Sequence, residues 1–343
     1  PPFRRGTMAP HATVVVLNWN GRDYLRECLR SLYAESYRDM RVVVVDNAST
    51  DESWRIVGDE FPEAVLLRLP ENRHFARGMN AGFSRALEDR DCEFVIALNN
   101  DVKVDPEWLE SLVEAAGDSR VGMVASKMLF MDRPTVLNST GIVIARDGSS
   151  MDRSWNLPND RRGEPVQDVF GPSAGAALYR RQLLETVGLF DEDFVAYYED
   201  VDLAWRARLA GWEARFAPGA VVYHKYSGSV GHASPWREYQ CERNRVWNLV
   251  QNYPWRYVAM GVAWNAVRLG ASRLRERAGE GAAGSGPGGS ARIHAQARLD
   301  AYAGLAAAQR KRRSRYRSAK VTAADVGRWL RAYGASMHQV LGV

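Results

Sequence analysis

The sequence predicts an α/β fold built on an open, mostly parallel sheet. Three observations carry that prediction. Short apolar runs recur at Thr13 to Leu17, Val42 to Val45, Val65 to Leu69 and Phe94 to Leu98. Unbroken apolar strands, rather than alternating ones, are those a parallel sheet buries on both faces. Stretches with helical apolar spacing lie between them, and alternation of strand and helix is the signature of α/β layering. Polar residues (Asn18, Asp46, Asn72 and Asn99-Asn100-Asp101) sit just past the strand ends, where such sheets bind ligands.

Each element follows in order. The first strand runs into Asn18-Trp19-Asn20-Gly21, and Tyr24, Leu25, Cys28, Leu29 and Leu32 then repeat at three- and four-residue spacing, giving a helix one apolar face. After the second strand, Asp51 is placed to cap a helix carrying Ile56, Val57 and Phe61. After the third, Asn72 to Gly82 reads as a small-residue loop opening another helix. The fourth strand ends at Asn99-Asn100-Asp101, and Asp105-Pro106-Glu107 starts a helix with Pro in its first turn. Beyond Val121, Val136 to Ile144 and Gln167 to Tyr179 read as strands of a more antiparallel half, and Asp147 to Glu164 as a polar, mobile loop. Gly279 to Ser290, rich in Gly, Ala and Ser, reads as a flexible linker or loop.

A chain of 343 residues accommodates a main domain of roughly 250 residues with an appendage. Cys28, Cys92 and Cys241 form no CxxC pair, which argues against a disulfide framework and a zinc ribbon and suits a reducing compartment. The net charge of +5 is asymmetric: from Pro254 onward 16 Lys and Arg stand against 4 Asp and Glu, and before it 30 stand against 37. No run approaches the roughly 18 apolar residues of a membrane span. Pro1 to Thr7 lacks the apolar core of a signal peptide, Met8 reads as a candidate initiator, and residues before His11 are left out of the fold.

Candidate chemistry gathers at the strand ends. Asp46 can accept from a ribose hydroxyl or a pyrimidine N3 hydrogen, or can instead close a turn. Asn72, Arg77, Gly78 and Asn80 form a second candidate nucleotide loop, Gly permitting close backbone approach. Asp101 suits a hard divalent ion, which takes one or two protein carboxylates and fills its other positions with phosphate oxygen and water; an Asx turn is the alternative. His224, after a later strand, is a candidate nitrogen ligand to the same ion. In Phe190 to Arg206 an acidic, aromatic-rich turn becomes a helix, and an apolar lining around Glu199 and Asp200 would raise the proton affinity a general base needs. Asp191 reads as a turn cap, and Asp202 with Arg206 as a local ion pair. Gly171 to Ala177 leaves room for a sugar or for tight packing.

Val16 to Asn20, Val44 to Asp51, Glu71-Asn72 through Gly82, Leu98 to Asp101 and Gly188 through Arg206 together resemble the family 2 inverting glycosyltransferases of GT-A fold, most closely the bacterial rhamnosyltransferase group. The resemblance covers about residues 12 to 255. It implies a Rossmann-like GT-A domain over 11–253 with a mixed, mostly parallel sheet; the charge count and helical patterning mark 254–343 as a basic helical region. It further implies a nucleoside-diphosphate sugar donor, dTDP-rhamnose or else a UDP-hexose, and a divalent metal, Mg2+ or Mn2+. By position, Asp200 of the Glu199-Asp200 pair would be the base, and Asp101 and His224 would hold metal. Asn18, Asp46, Asn72, Gly78, Asn80, Asn99 and Asn100 would contact the donor. The metal motif departs from the pattern, since in Asn99-Asn100-Asp101 only the last residue is acidic. The Gln-x-x-Arg-Trp signature of processive synthases is missing, which favours transfer of a single sugar. A non-catalytic nucleotide-sugar scaffold and a nucleotidyltransferase are the competing readings.

In the tail, Trp255, Tyr257, Val258, Val262, Trp264 and Leu269 alternate with Arg256, Arg268, Arg273, Arg275 and Arg277, as in a helix at a membrane interface. Gln309 to Arg317 adds a cluster that anionic lipid attracts. Expected partners are therefore a lipid-linked or glycan acceptor and the inner face of the plasma membrane, with the enzyme cytoplasmic and peripheral. Nucleic acid is disfavoured because no binding module for it is visible; a helix-mediated homodimer is a third use of the tail.

Overall fold

The Val-rich run at the start of the chain becomes an interior strand of the main sheet. The computed structural model describes residues 11–160, 164–226, 234–261, 264 and 289–335. Its first half alternates β1 (His11–Asn18), α1 (Leu25–Tyr33), β2 (Met40–Asp46), α2 (Trp54–Glu60), β3 (Val65–Arg68), α3 (His74–Leu87) and β4 (Cys92–Asn99). Then come β5 (Val102–Val104), α4 (Trp108–Ala115), β6 (Val121–Phe130), β7 (Leu137–Ser139), β8 (Ile142–Ile144), β9 (Ser150–Asp152), β10 (Gln167–Asp168), β11 (Ala176–Arg180) and α5 (Arg181–Val187). After a 3-10 turn at Glu192–Phe194, α6 (Glu199–Leu209) leads to β12 (Glu213–His224). The helices α7 (Pro235–Asn252), α8 (Gly289–Ala303), α9 (Leu305–Arg317) and α10 (Ala323–Ala332) follow, and residues 255–261 are also helical.

The main sheet runs β10-β12-β6-β11-β4-β1-β2-β3, with β5 on β12 and β7 on β6. β4, β1, β2 and β3 are mutually parallel, as are β6 and β12, and β11 is antiparallel to both its neighbours. Both faces are covered. Val14, Val16, Val42 and Val44 share one core with Leu25 and Trp108, while Val15, Val43 and Val45 share the other with Phe83 and Trp205. Burial on both sides is why these strands read as unbroken apolar runs.

Some expectations are corrected. Residues 74–82 are helix, not loop, because their small side chains let α3 lie directly on the sheet. A Cβ on Gly82 would stand 2.2 Å from Val15 Cγ1, and one on Gly78 2.8 Å from Leu17 Cδ1. The segment after Asp147 is anchored at its start: Asp147 and Ser149 are buried, Arg245 Nη1 donates to Asp147 O at 2.9 Å, and Asn248 Nδ2 donates to Gly148 O at 3.0 Å. Asp51 closes a short turn on the Ser53 N–H, at 3.0 Å, rather than capping α2.

The expected boundary between 253 and 254 falls within a packed helical layer, where α7 lies against α8 and α9. Lys311, Arg312 and Arg315 of the basic cluster turn inward: Arg312 is buried and donates to Val250 O at 2.9 Å, and the other two pair with aspartates. Arg310, Arg313 and Arg317 face outward. Most of the Gly-rich linker, and Val262, Arg268, Leu269, Arg273, Arg275 and Arg277, lie outside the described residues.

Candidate active site

β1, β2 and β4 end side by side, and their terminal residues make one polar cluster. Asn18 donates to Asp46 Oδ1 at 3.4 Å and to Ser53 Oγ at 2.8 Å, and accepts from Asn100 Nδ2 at 2.8 Å. Asp46 is fully buried; its Oδ2 has no hydrogen-bond partner among the described residues, and Arg68 Nε stands 3.6 Å away. A buried carboxylate oxygen without a donor has unused acceptor capacity.

The second candidate nucleotide loop divides. Asn72 Oδ1 accepts from Asn47 Nδ2 at 3.0 Å and His74 N at 2.8 Å, so it ties the second strand's exit to the start of α3. Asn80 turns elsewhere: its amide exchanges two hydrogen bonds with the Phe190 backbone, at 2.9 and 3.0 Å. Gly78 is packed under Leu17 and Asn47. The geometry therefore spends Asn80 and Gly78 on holding α3 in place.

Asp101 and His224 meet although 123 positions separate them, because β5 pairs with the end of β12 in the register His224 to Val102. His224 Nε2 lies 3.3 Å from Asp101 Oδ1 and 3.4 Å from Asn99 Nδ2. Its Nδ1 lies 2.8 Å from Asn138 Oδ1, an acceptor only, so Nδ1 carries a hydrogen there. Nε2 is then the nitrogen aimed at Asp101. A histidine oriented by an amide on one nitrogen and facing a carboxylate with the other suits a divalent cation. Among the described residues, no group of three acidic, His or Cys side chains forms a closed metal site.

Glu199 and Asp200 open α6. Asp200 accepts from Ala174 N at 3.0 Å and Val201 N at 2.7 Å, and burial pushes its carboxyl up to about 6 against those two donors. Glu199 is buried with Oε2 unpaired; burial and then the Asp200 charge push it well above the carboxylate range, which favours its neutral form. The same short segment serves both halves of the site. Ala174 binds Asp200, and the next residue, Gly175, accepts Asn99 N at 3.0 Å.

Asp202 and Arg206 do form the expected pair, at 2.8 Å, and Asp191 does close a turn on Asp193 N, at 3.2 Å. Three residues escaped the sequence reading. Asp152 on β9 stands close enough for its charge to act on Asp200 and His224, with Ser139 and Ser173 as hydrogen-bond partners, and burial raises its carboxyl. Asn138 orients His224. Asn244 on α7 is fully buried and binds the turn before Glu199. The polar stretch Asn138-Ser139-Thr140 between apolar strands was the one local signal; Asp152 and Asn244 carry none.

The sequence model of "Glycosyl transferase family 2" matches residues 13–188. The chain belongs to this family. Among family relatives, it is 28% identical over 252 residues to the N-acetylglucosaminyl-diphospho-decaprenol L-rhamnosyltransferase of Mycobacterium tuberculosis, covering 64% of this chain and 77% of that one. It is 27% identical over 248 residues to the O-antigen biosynthesis protein RfbC of Myxococcus xanthus, covering 68% of this chain but only 19% of that much longer one. Two solved structures share the GT-A fold. They are GalNAc-T7 with UDP, GalNAc and Mn2+ (TM-score 0.58, 15% identity, 71% of this chain and 48% of that one), and the mannosyltransferase PcManGT of Pyrobaculum calidifontis with GDP-Man and Mn2+ (TM-score 0.50, 21% identity, 93% and 88%). The family 2 assignment, the mixed sheet and the helical C-terminal layer all agree with the expectations from sequence. No helix among the described residues is long and apolar enough to cross a membrane.

Proposed function

We propose that this chain is an inverting glycosyltransferase that moves one sugar from a nucleoside-diphosphate donor to a lipid-linked or polysaccharide acceptor in cell-envelope glycan synthesis. The observation that carries the reading is the Ala174-Gly175 link, which places Asp200, a carboxylate raised to about 6, across one segment from the Asn99-to-Asp101 turn. A base and a diphosphate-side turn held by consecutive residues suit a single displacement. The residues fit a divalent cation, Mg2+ or Mn2+: Asp101 and His224 would hold it, with Asn138 fixing the imidazole. When bound, such an ion stabilises the charge of the departing diphosphate.

Asp46, whose Oδ2 has no hydrogen-bond donor among the described residues, would accept from the ribose or base; Asn18 bonds its other oxygen and is itself held by Asn100. Asp200 takes the acceptor hydroxyl's proton as that oxygen attacks the anomeric carbon from the face opposite the leaving group, which inverts the centre. Glu199, kept neutral, adds no second charge beside the base. A deoxyhexose such as rhamnose is the donor sugar favoured by the rhamnosyltransferase relative, and UDP-hexose is the alternative. A GT-A domain over 11–253, with 254–343 added to it, remains the division proposed.

The chain would work at the inner surface of the plasma membrane. Outward-facing Arg310, Arg313 and Arg317 share one face of α9, and Leu299 and Tyr302 are exposed on the preceding α8. Cations beside exposed apolar side chains suit an anionic lipid surface. The test is mass-spectrometric detection of glycosylated acceptor from dTDP-rhamnose or UDP-glucose with a polyprenyl-diphosphate GlcNAc acceptor and Mn2+. Anomeric configuration of the product, read by NMR, decides inversion. No product from any donor, with intact folded protein, would favour the scaffold reading.

A further inference from the structure

The backbone immediately before the base is strained. Val195, Tyr197 and Tyr198 adopt φ values of 67°, 64° and 72°, in a region that β-branched and bulky residues rarely enter. Without outside support, this turn would relax toward ordinary backbone conformations, and the first residues of α6 would move with it. One hold comes from α3, where Ala76 N donates to Val195 O at 2.9 Å; the side-chain support comes from α7. Asn244 Nδ2 donates to Phe194 O at 2.9 Å, Ala196 O at 3.0 Å and Tyr197 O at 2.7 Å. Arg243 Nη2 donates to Asp193 O and Phe194 O, both at 3.1 Å, and also to Asn244 Oδ1 at 2.9 Å. Carbonyls on one side and a guanidinium on the other fix the Asn244 amide in a single orientation. Lys311 of α9 adds contacts to Asp191 at 2.5 Å and Asp193 at 2.6 Å.

We propose that Asn244, supported by Arg243, is a positioning residue for Asp200: it clamps the strained Phe194-to-Tyr198 turn in the shape that aims the base. The inference rests on Asp200 being the base. It makes the helical layer a working part of the site. A buried side chain that binds three carbonyls of one turn has a function beyond packing, because an apolar residue of that size would fill the space and take the Asn244 donor from Ala196 O and Tyr197 O, while Phe194 O would keep Arg243 and the Ala196 N–H.

The experiment compares Asn244→Ala with Arg298→Ala, which cuts an ion pair to Glu242 at 2.6 Å in the same helical layer without touching the turn. Hydrogen exchange is followed at residues 188–200 of the ligand-free proteins, and turnover of dTDP-rhamnose with Mn2+ across pH 5 to 8. Asn244→Ala is expected to speed exchange at the turn at least tenfold and to lower kcat at least 30-fold, with the donor KM changed less than threefold. Its acidic kcat limb should move to lower pH as water reaches Asp200. Arg298→Ala should change none of these. Adding Val195→Gly, which removes the side chain that resists positive φ, should recover at least a third of the lost exponent in kcat. If Asn244→Ala does not fold, Asn244→Asp keeps the shape and the Arg243 contact but turns an acceptor oxygen toward the carbonyls in place of the donors, with the same expectations. Exchange within twofold of wild type, unchanged kcat, or equal loosening in Arg298→Ala would overturn the proposal. A wild type that turns over no nucleotide sugar would overturn the transferase reading instead, and the exchange comparison would still decide whether Asn244 holds the turn.

Discussion

The Ala174 backbone N–H donates to the Asp200 carboxylate at 3.0 Å. This bond sets the proposed base against the segment whose next residue holds the Asn99 backbone. It also opposes burial, so Asp200 is raised to about 6 rather than kept neutral through the physiological range. A base of that kind is ionised at pH 7 and still basic enough to accept a proton in the transition state.

Turnover should therefore rise with pH through about 6, as Asp200 loses its proton. A kcat profile flat from pH 5 to 8 would remove Asp200 from the proposed role.

Asp200→Asn should lower kcat by about 10²- to 10⁴-fold while leaving nucleotide binding within a few-fold. Stability should move the other way. The folded state binds the Asp200 proton more tightly than the unfolded chain, so the group's contribution to stability falls as pH rises from about 4 to about 6. Replacing it should raise Tm at pH 7.5 and change it little at pH 4, which calorimetry at the two values checks.

His224→Gln should raise the Mn2+ concentration for half-maximal nucleotide binding by about 10- to 100-fold, and Asn138→Ala by about 10-fold through loss of the imidazole's orienting partner. Titration calorimetry of the nucleoside diphosphate at several metal concentrations measures both. Equal effects of Mn2+ on wild type and His224→Gln would exclude His224 as a ligand.

Arg315→Gln removes one of the two guanidinium partners of the fully buried Asp202 carboxylate. Burial alone would raise Asp202, but Arg315 and Arg206 outweigh it and hold the group at about 2. Losing Arg315 should cost about 2–4 kcal/mol in urea unfolding at pH 7, since Arg206 and Asn252 remain as partners. The difference should shrink as pH falls from about 4 toward 2, where Asp202 takes up its proton in both proteins.

Much of the sheet was legible from local pattern. Buried parallel strands such as Val42 to Val45 are apolar throughout, and their polar ends mark where ligands bind. The misreadings share a physical cause: they depend on partners far away in sequence. Gly78 and Gly82 look like loop residues until Leu17, Val15 and Val45 are seen beneath them. The stretch after Asp147 looks mobile until Arg245 and Asn248, about a hundred positions on, are seen to bind its backbone. The basic cluster at 309–317 looks solvated, but Asp191 and Asp202 draw in Lys311 and Arg315. Within the candidate site, Asp46, Asp101 and Asp200 carried strand-end or helix-start signals. Asp152 and Asn244 acquire their positions only through tertiary contacts, so no window of sequence marks them.

Arg310, Arg313 and Arg317 remain for a charged surface. Changing all three to Gln should weaken binding to vesicles of phosphatidylglycerol and phosphatidylethanolamine by about 100-fold, at roughly 1 kcal/mol per residue, in a sedimentation assay. Equal binding by the triple variant would remove this face from any membrane contact.

The most direct test is a thermal-shift panel of UDP, dTDP and GDP, each with and without Mn2+, on wild type and Asp101→Asn. A ligand that binds only the folded state raises its apparent stability. One nucleotide should raise the wild-type Tm by several degrees only when Mn2+ is present, and that increment should vanish in Asp101→Asn. No shift with any nucleotide at millimolar concentration, or the same metal-dependent shift in both proteins, would contradict a donor crevice built on Asp101.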